Sequence, residues 1–419
     1  LNLTISNSAD ITTALAGTLD GINEATKVNF LGGNGSSSVT LGAGGTVELT
    51  ESNSSVLDFS GFNGTLTNAV FALDDFDSAE TVGVNMQVIG TANADKITVD
   101  YDADTDASVT INTQGIETIA LDMADSNVEL VLDMTAVTGL TDINITDASS
   151  ERIDLYQLMA GVDVNVTSDH GTATTVEIRG ADVSGSTDTQ EISVGALGAD
   201  DGVAVVISNV ETLSISGTTA NQVDLDLSNA AMTATGAVMS VDFTGSNDIE
   251  LVATNADITT IDASGMSSGG AIVQTARSAT TASDYTGSIG NDTFIMMHAN
   301  DAMNGATGTS DTLDINYTAI LGGISVDLSN ATNQISSMNG SSNSAVQVGF
   351  ENVDLAGFSG FGATVTAAVG GSTISGTAST DSITGGAGND IIDGNAGDDT
   401  IATGAGDDVI HFDATSDGN

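Results

Sequence analysis

The sequence predicts an all-β protein, mainly a parallel β-solenoid (right-handed β-helix) that ends in a roll of short glycine-rich coils. Three observations predict it. Helix-period apolar patterns are scarce, and Thr, Ser, Val, Ile, Gly, Asn and Asp dominate, a mixture that favours short strands and tight turns. Strand-like units recur through the first 375 residues. Residues 376–412 then run as four consecutive nonapeptides. Because the earlier units are irregularly spaced, a tandem of β-sandwiches capped by the same roll is the alternative architecture.

Composition narrows the classes. The 419 residues include 57 Asp and Glu against 5 Lys and Arg, a formal charge of −52. Such a chain repels nucleic acid and anionic lipid, so neither is expected as a partner. It also repels itself, and a bound divalent ion is a natural remedy; adaptation to a salty medium is the other reading of the same surface. A hydrophobic fraction of 40% is enough for a core, which must be aliphatic because aromatics are 4% and Trp is absent. There is no Cys, which excludes disulfides and thiolate metal sites. No apolar run is long enough to span a bilayer, so no membrane insertion is expected.

Two weak repeats run along the chain. One is an aliphatic–Asp–x–Ser/Thr unit, as in Leu57-Asp58-Phe59-Ser60, Leu132-Asp133-Met134-Thr135, Leu225-Asp226-Leu227-Ser228, Ile261-Asp262-Ala263-Ser264 and Val326-Asp327-Leu328-Ser329. The other is a Glu opening a strand, at Glu80, Glu117, Glu211 and Glu351. Both read as strand-entry devices whose carboxylates cap or solvate turns. Only Tyr156 to Met159 and the stretch from Asp10 to Ala25 look briefly helical. Glycine-rich half-turns occur singly at Gly90 to Thr98 with Asp95, at Gly287 to Ile295 with Asp292, and imperfectly at Asn304 to Leu313 with Asp311. They suggest a division into 1–285, with a sub-boundary near 90, then 286–375, the roll at 376–412 and a tail at 413–419. Asp100, Asp102, Asp104 and Asp106 alternate like the start of an EF-hand loop. Thr105 stands where that loop needs Gly and Ile111 where it needs Glu, so an exposed acidic loop is preferred.

The four nonapeptides follow G-G-x-G-x-D-x-U-x, U being a large apolar residue. The sixth position is Asp381, Asp390, Asp399 and Asp408, and the eighth is Ile383, Ile392, Ile401 and Ile410. Glycine lets the backbone turn tightly and aim carbonyl oxygens at one point, and each aspartate adds a carboxylate. A hard cation that takes six to eight oxygens is served by such a set, which makes Ca2+ the expected ion. The x-U-x triplet is a short strand whose Ile points inward and is expected to stack on the Ile nine residues away. One nonapeptide cannot bury its Ile alone, so copies must stack.

These repeats resemble the RTX repeats of Gram-negative secreted proteins, which form a calcium-loaded parallel β-roll. The resemblance implies carbonyl ligands from Gly385, Gly386, Ala387 and Gly388, from Gly394, Asn395, Ala396 and Gly397, and from Thr403, Gly404, Ala405 and Gly406. Thr403 and Asn395 depart from the repeat's glycines, so weaker sites are expected there. It also implies that the full form continues to a C-terminal signal read by a type I secretion system. The stretch Ile258 to Ile315, with its aliphatic-Asp-Ala-Ser strand, Thr/Ser-rich segment and Gly-Asn-Asp half-turns, resembles RTX-type surface-layer (S-layer) proteins of Gram-negative bacteria. That similarity touches most of the chain, but only the C-terminal block is a full motif. It implies an extracellular, calcium-dependent, self-assembling coat whose partner is further copies of itself, with a cell-surface glycan or lipopolysaccharide as candidate anchor. An adhesin or filament subunit is the second class.

Enzyme readings find little footing. The histidines, His170, His298 and His411, lie far apart and none begins H-E-x-x-H. Gly265-Met266-Ser267-Ser268-Gly269 matches the letters of a hydrolase elbow, but no helix pattern follows it. A glycosidase needs only two carboxylates, yet sugar sites usually offer aromatic platforms, and the chain has no Trp and 4 Tyr. No catalytic residue is expected.

Overall fold

A computed structural model describes residues 2–5, 12–15, 27–32, 38–41, 47–48, 56–72, 86–101, 107–123, 129–147, 152–159, 161–166, 175–178, 187–194, 202–204, 207, 209–217, 223–227, 232, 237–246, 248–267, 272–278, 280–317 and 322–412. Among these, every regular element is a β-strand. The chain forms two compact units, Leu1–Ser216 and Gly217–Asn419.

In the first unit, strands alternate between two parallel sheets. One sheet runs Asn2–Ile5, Lys27–Gly32, Val56–Phe62, Met86–Ile89, Ala107–Gln114, Glu129–Asp133, Arg152–Leu158 and Thr175–Ile178. The other takes the strand between each pair, among them Lys96–Tyr101, Thr118–Met123, Asp142–Asp147 and Asp163–Val166. Each coil therefore gives one strand to each face, and register partners sit 20 to 31 positions apart. This is a parallel β-solenoid, as expected, and parallel pairing excludes the sandwich alternative. Inward positions form aliphatic ladders, such as Val109, Leu132 and Leu155 on one face and Ile97, Ile119, Ile143 and Val164 on the other. All are buried. Each such side chain contributes roughly 1.5–3 kcal/mol, but only with a coil above and below it.

The second unit keeps this plan. One sheet passes through Ile272–Arg277, Thr293–Met296, Thr312–Ile315, Asn352–Asp354, Thr373–Ser375, Ile391–Asp393 and Val409–His411. Another holds Ile258–Met266, Asp284–Thr286, Ala302–Asn304 and Gln347–Val348. A third begins with an antiparallel excursion, Ile324–Asp327 to Ile335–Met338 to Ser341–Ser342, before parallel strands Ala363–Thr366, Ser382–Thr384 and Thr400–Ala402 resume the roll. The last excursion turn is Asn339-Gly340, both at positive φ (57° and 72°), which is the two-residue hairpin chemistry of an Asn-Gly pair.

The helix expected over Tyr156 to Met159 is instead the end of strand Arg152–Leu158. Gln157 sits at φ 57°, and the register shifts between Leu155 and Leu158. The bulge puts both leucines inside, so their three-residue spacing imitates a helix turn. Of the stretch from Asp10 to Ala25, Thr12–Leu15 is a strand, and the rest lies outside the described residues, as does the 413–419 tail.

One buried group breaks the apolar pattern. Thr113 follows Leu57 and Val88 in an inward ladder, is fully buried, and its hydroxyl has no partner. Thr113→Val keeps the shape and removes the stranded oxygen, so it should raise the free energy of unfolding by about 1 kcal/mol, read by urea denaturation at fixed calcium.

Candidate metal centre

The roll is built from 18-residue coils, two nonapeptides each. Ile374, Ile392 and Ile410 stack in register on one face, and Val365, Ile383 and Ile401 on the other. The isoleucine nine residues away therefore lies on the opposite face; the stacking partner is eighteen residues away, which corrects the nine-residue expectation. The reason is that one nonapeptide supplies one strand and one corner, and two close a coil.

Each corner aspartate turns into the main chain. Asp381 accepts from Ala363 N at 2.6 Å and, through its other oxygen, from Thr377 N at 2.7 Å. Asp390 accepts from Ser372 N at 2.8 Å and Gly386 N at 2.7 Å. Asp399 accepts from Asp381 N at 2.9 Å, and Asp408 from Asp390 N at 3.0 Å. So one carboxylate oxygen reaches 18 residues back, and in Asp381 and Asp390 the other reaches four back. Between the turns the main chain is too close for side chains. A Cβ at Gly385 would meet Thr403 O at 1.8 Å, at Gly388 Gly370 O at 2.4 Å, at Gly386 Ala368 O at 2.4 Å, and at Gly404 Gly386 O at 2.1 Å. At Gly406, φ 131°, an added Cβ would meet Gly388 O at 2.3 Å. Ala387 and Ala405 lie exposed at the turn tips, and Ala396 is half-buried. The cradle is thus lined by carbonyl oxygens with carboxylates beside them, a donor set that fits calcium. Asn395 occupies a left-handed position (φ 58°) and its amide donates to Gly376 O at 2.7 Å. Gly394 and Gly397 pack close to Asp399 and Ser379.

The isolated half-turns use the same geometry. Asp95 accepts from Leu66 N at 2.8 Å and from Thr91 N, four residues back. Asp292 accepts from Ile272 N and Ser288 N, each at 2.7 Å. Burial pushes the carboxyls of Asp95, Asp292 and Asp381 up despite these donors, and neighbouring carboxylates (Glu117, Asp248 and Asp399) add to it. Asp311 stands one coil beyond Asp292 and accepts its N–H at 2.8 Å. Its turn is one residue longer, Ala306 is at φ 66°, and Ala306 N is taken by Asn304. Asp311 Oδ2 is left buried with no hydrogen bond, close to Gly308 and Gly305, which themselves pack on Gly290 O and Gly349 O. Burial pushes this carboxyl up to about 7, with Asp292 and Glu351 adding. An orphaned carboxylate oxygen among carbonyls is the clearest fit to a cation here.

Among the described residues no three acidic or histidine side chains converge on one point, so a cation would draw largely on main-chain oxygen. Asp102, Asp104 and Asp106 lie outside the described residues; Asp100 is in strand Lys96–Tyr101, in register with Asp122. The Glu units are corners too: Glu117, Glu211 and Glu351 accept from Asp95 N, Asp188 N and Asp311 N at 2.7, 2.9 and 3.0 Å. The aliphatic-Asp units end strands by bonding two residues on, as Asp133 does to Thr135 N and Asp262 to Ser264 N, each at 2.9 Å. Sequence reasoning missed one corner, Asp301, because no glycine marks its turn. Ser267 donates its hydroxyl to Gly245 O at the end of strand Ile258–Met266.

These features define a class: an all-β, parallel solenoid whose last coils form a β-roll with oxygen-lined, aspartate-closed turns. Residues 373–411 match the family model of the RTX calcium-binding nonapeptide repeat, in four copies. RTX nonapeptide repeats bind calcium ions. No curated protein and no solved structure matches the chain.

Two measurements test this geometry. Asp390→Asn keeps the reach of the side chain but removes a charge, so calcium should bind about tenfold more weakly and stabilise correspondingly less, read by calorimetry and thermal unfolding. Separately, Asp314 pairs in register with Asp354, and burial together with that neighbour raises its carboxyl to about 6. The folded state then binds the extra proton between about pH 4 and 6, so its stability falls as pH rises through that window. Relative to wild type in EGTA, Asp314→Asn should gain stability from pH 4 to 6 and hold a constant advantage above it.

Proposed function

We propose that this chain is a structural, calcium-dependent, self-assembling subunit of a bacterial surface layer, exported and assembled outside the cell. The observation that carries the proposal is the calcium-binding roll in a chain of charge −52 whose solenoid strands set carboxylates in register. Asp142 lies beside Asp163, Asp242 beside Asp262 and Asp314 beside Asp354. Each such pair repels by about 1 kcal/mol or less where solvated and by more where half-buried. In a medium poor in free calcium the roll stays loose and the chain is easily exported. At millimolar calcium the turns fill, binding couples to folding, and ions bridge acidic faces of neighbouring copies. A cell-surface glycan or lipopolysaccharide would anchor the layer.

The second reading is an adhesin or filament subunit built on the same calcium-binding roll.

Electron microscopy of the chain in EGTA, then in millimolar calcium, separates the readings. Ordered two-dimensional sheets that appear only with calcium are expected. Single-start fibres would move the assignment to the filament class, and particles that fold yet stay monomeric would sink self-assembly.

A further inference from the structure

Asp301 repeats the corner geometry residue for residue. One oxygen accepts from Ser283 N, 18 positions back, at 2.9 Å. The other accepts from Met297 N, four positions back, at 3.1 Å, and from His298 N at 2.9 Å. This matches Asp390 with Ser372 and Gly386, and Asp381 with Ala363 and Thr377. What differs is the cation. Arg277 NH1 lies 2.5 Å from Asp301 Oδ2, with both side chains essentially buried. The guanidinium also donates to Ile295 O at 3.3 Å, Thr281 O at 3.0 Å and Ser283 Oγ at 2.8 Å, and stands 5.4 Å from the centre of the Tyr285 ring.

The chain has five basic residues, and one of them is spent inside the solenoid. A buried ion pair holds only when nearly every polar atom is satisfied, because both charges leave water. Here both Asp301 oxygens and both terminal nitrogens of Arg277 are engaged, and within the pair Arg277 Nε alone is buried without a partner. At Asp95, Asp292 and Asp381 a neighbouring carboxylate pushes the carboxyl further up; at Asp301 the partner is a fixed positive charge on the preceding coil.

We infer that Arg277 takes the place of a divalent ion at the Asp301 corner, making that corner, with Ser283 and the turn from Met297 to Asp301, a calcium-independent clamp. This corner keeps its hydrogen bonds when calcium is withdrawn and offers a formed point on which the later coils add when calcium arrives. The inference rests on the calcium-dependent reading of the roll only for that second clause.

Hydrogen exchange on the full chain, in EGTA and in millimolar calcium, tests it. In EGTA the amides of Ser283, Met297 and His298 should exchange at least about a hundredfold more slowly than those of Ser372 and Gly386. In calcium both groups should be protected. Arg277→Met should bring the first group in EGTA down to the level of the second, and Arg277→Lys, which keeps charge without the fork, should fall between. Equal rates for the two groups in wild type with EGTA, where Ser372 and Gly386 gain protection on adding calcium, would overturn the clamp whether or not the variants fold. So would unchanged protection in Arg277→Met. Equal protection of Ser372 and Gly386 with and without calcium would instead refute the calcium reading of the roll, and the Arg277→Met comparison would still judge the clamp.

Discussion

Every coil of a parallel solenoid must satisfy the main-chain N–H groups at its corners, where no neighbouring strand can. An unpaired buried N–H costs roughly 1–3 kcal/mol, and each coil has several. The chain meets this with carboxylates, which are acceptor-only and carry two oxygens, so one side chain serves two donors. Asp95, Asp292, Asp301, Asp381 and Asp390 each join a donor on the preceding coil to one in their own turn. Glu117, Glu211 and Glu351 each accept at longer reach from one N–H of the previous corner.

That solution creates the protein's second constraint. Two backbone donors favour an ionised carboxylate, but at Asp292 and Asp381 burial outweighs them. Corners stacked along one line also place like charges beside one another. A proton or a positive partner relieves this, and in the proposed reading a chain with so few basic residues draws a cation from solution or, at Asp301, uses its own Arg277. Glycine enters the same argument from the other side. Only a residue without Cβ lets Thr403 O and Gly370 O approach the turns at Gly385 and Gly388.

What was legible in the sequence was whatever repeats. The nonapeptide period exposed the roll, its inward isoleucines and its corner aspartates, and the Glu-strand units were recognisable as caps. Long-range geometry was less visible. Nothing in the spacing alone says that two nonapeptides close a coil, so the isoleucine ladder was placed at half its true interval. The bulge at Gln157 turned a strand into an apparent helical turn, because αL geometry at one residue alters the alternation. Asp301 was hidden because its turn, Met297 to Asn300, carries no glycine and its cation comes from 24 residues earlier. The hairpin at Asn339-Gly340 was readable in principle; its dipeptide is the signal, overlooked within a Ser/Asn-rich run.

The corner hydrogen bonds also give the molecule a polarity. Each carboxylate reaches back to the coil before it, so a coil is fastened by residues that come later in the chain: Ser372 by Asp390, Asp381 by Asp399, Asp390 by Asp408. As a chain emerges from its amino end, the newest coil is always unfastened and the one behind it is locked only when the next eighteen residues appear. Folding in such a molecule advances like a ratchet, and damage to any one corner loosens the coil before it rather than the coil after it.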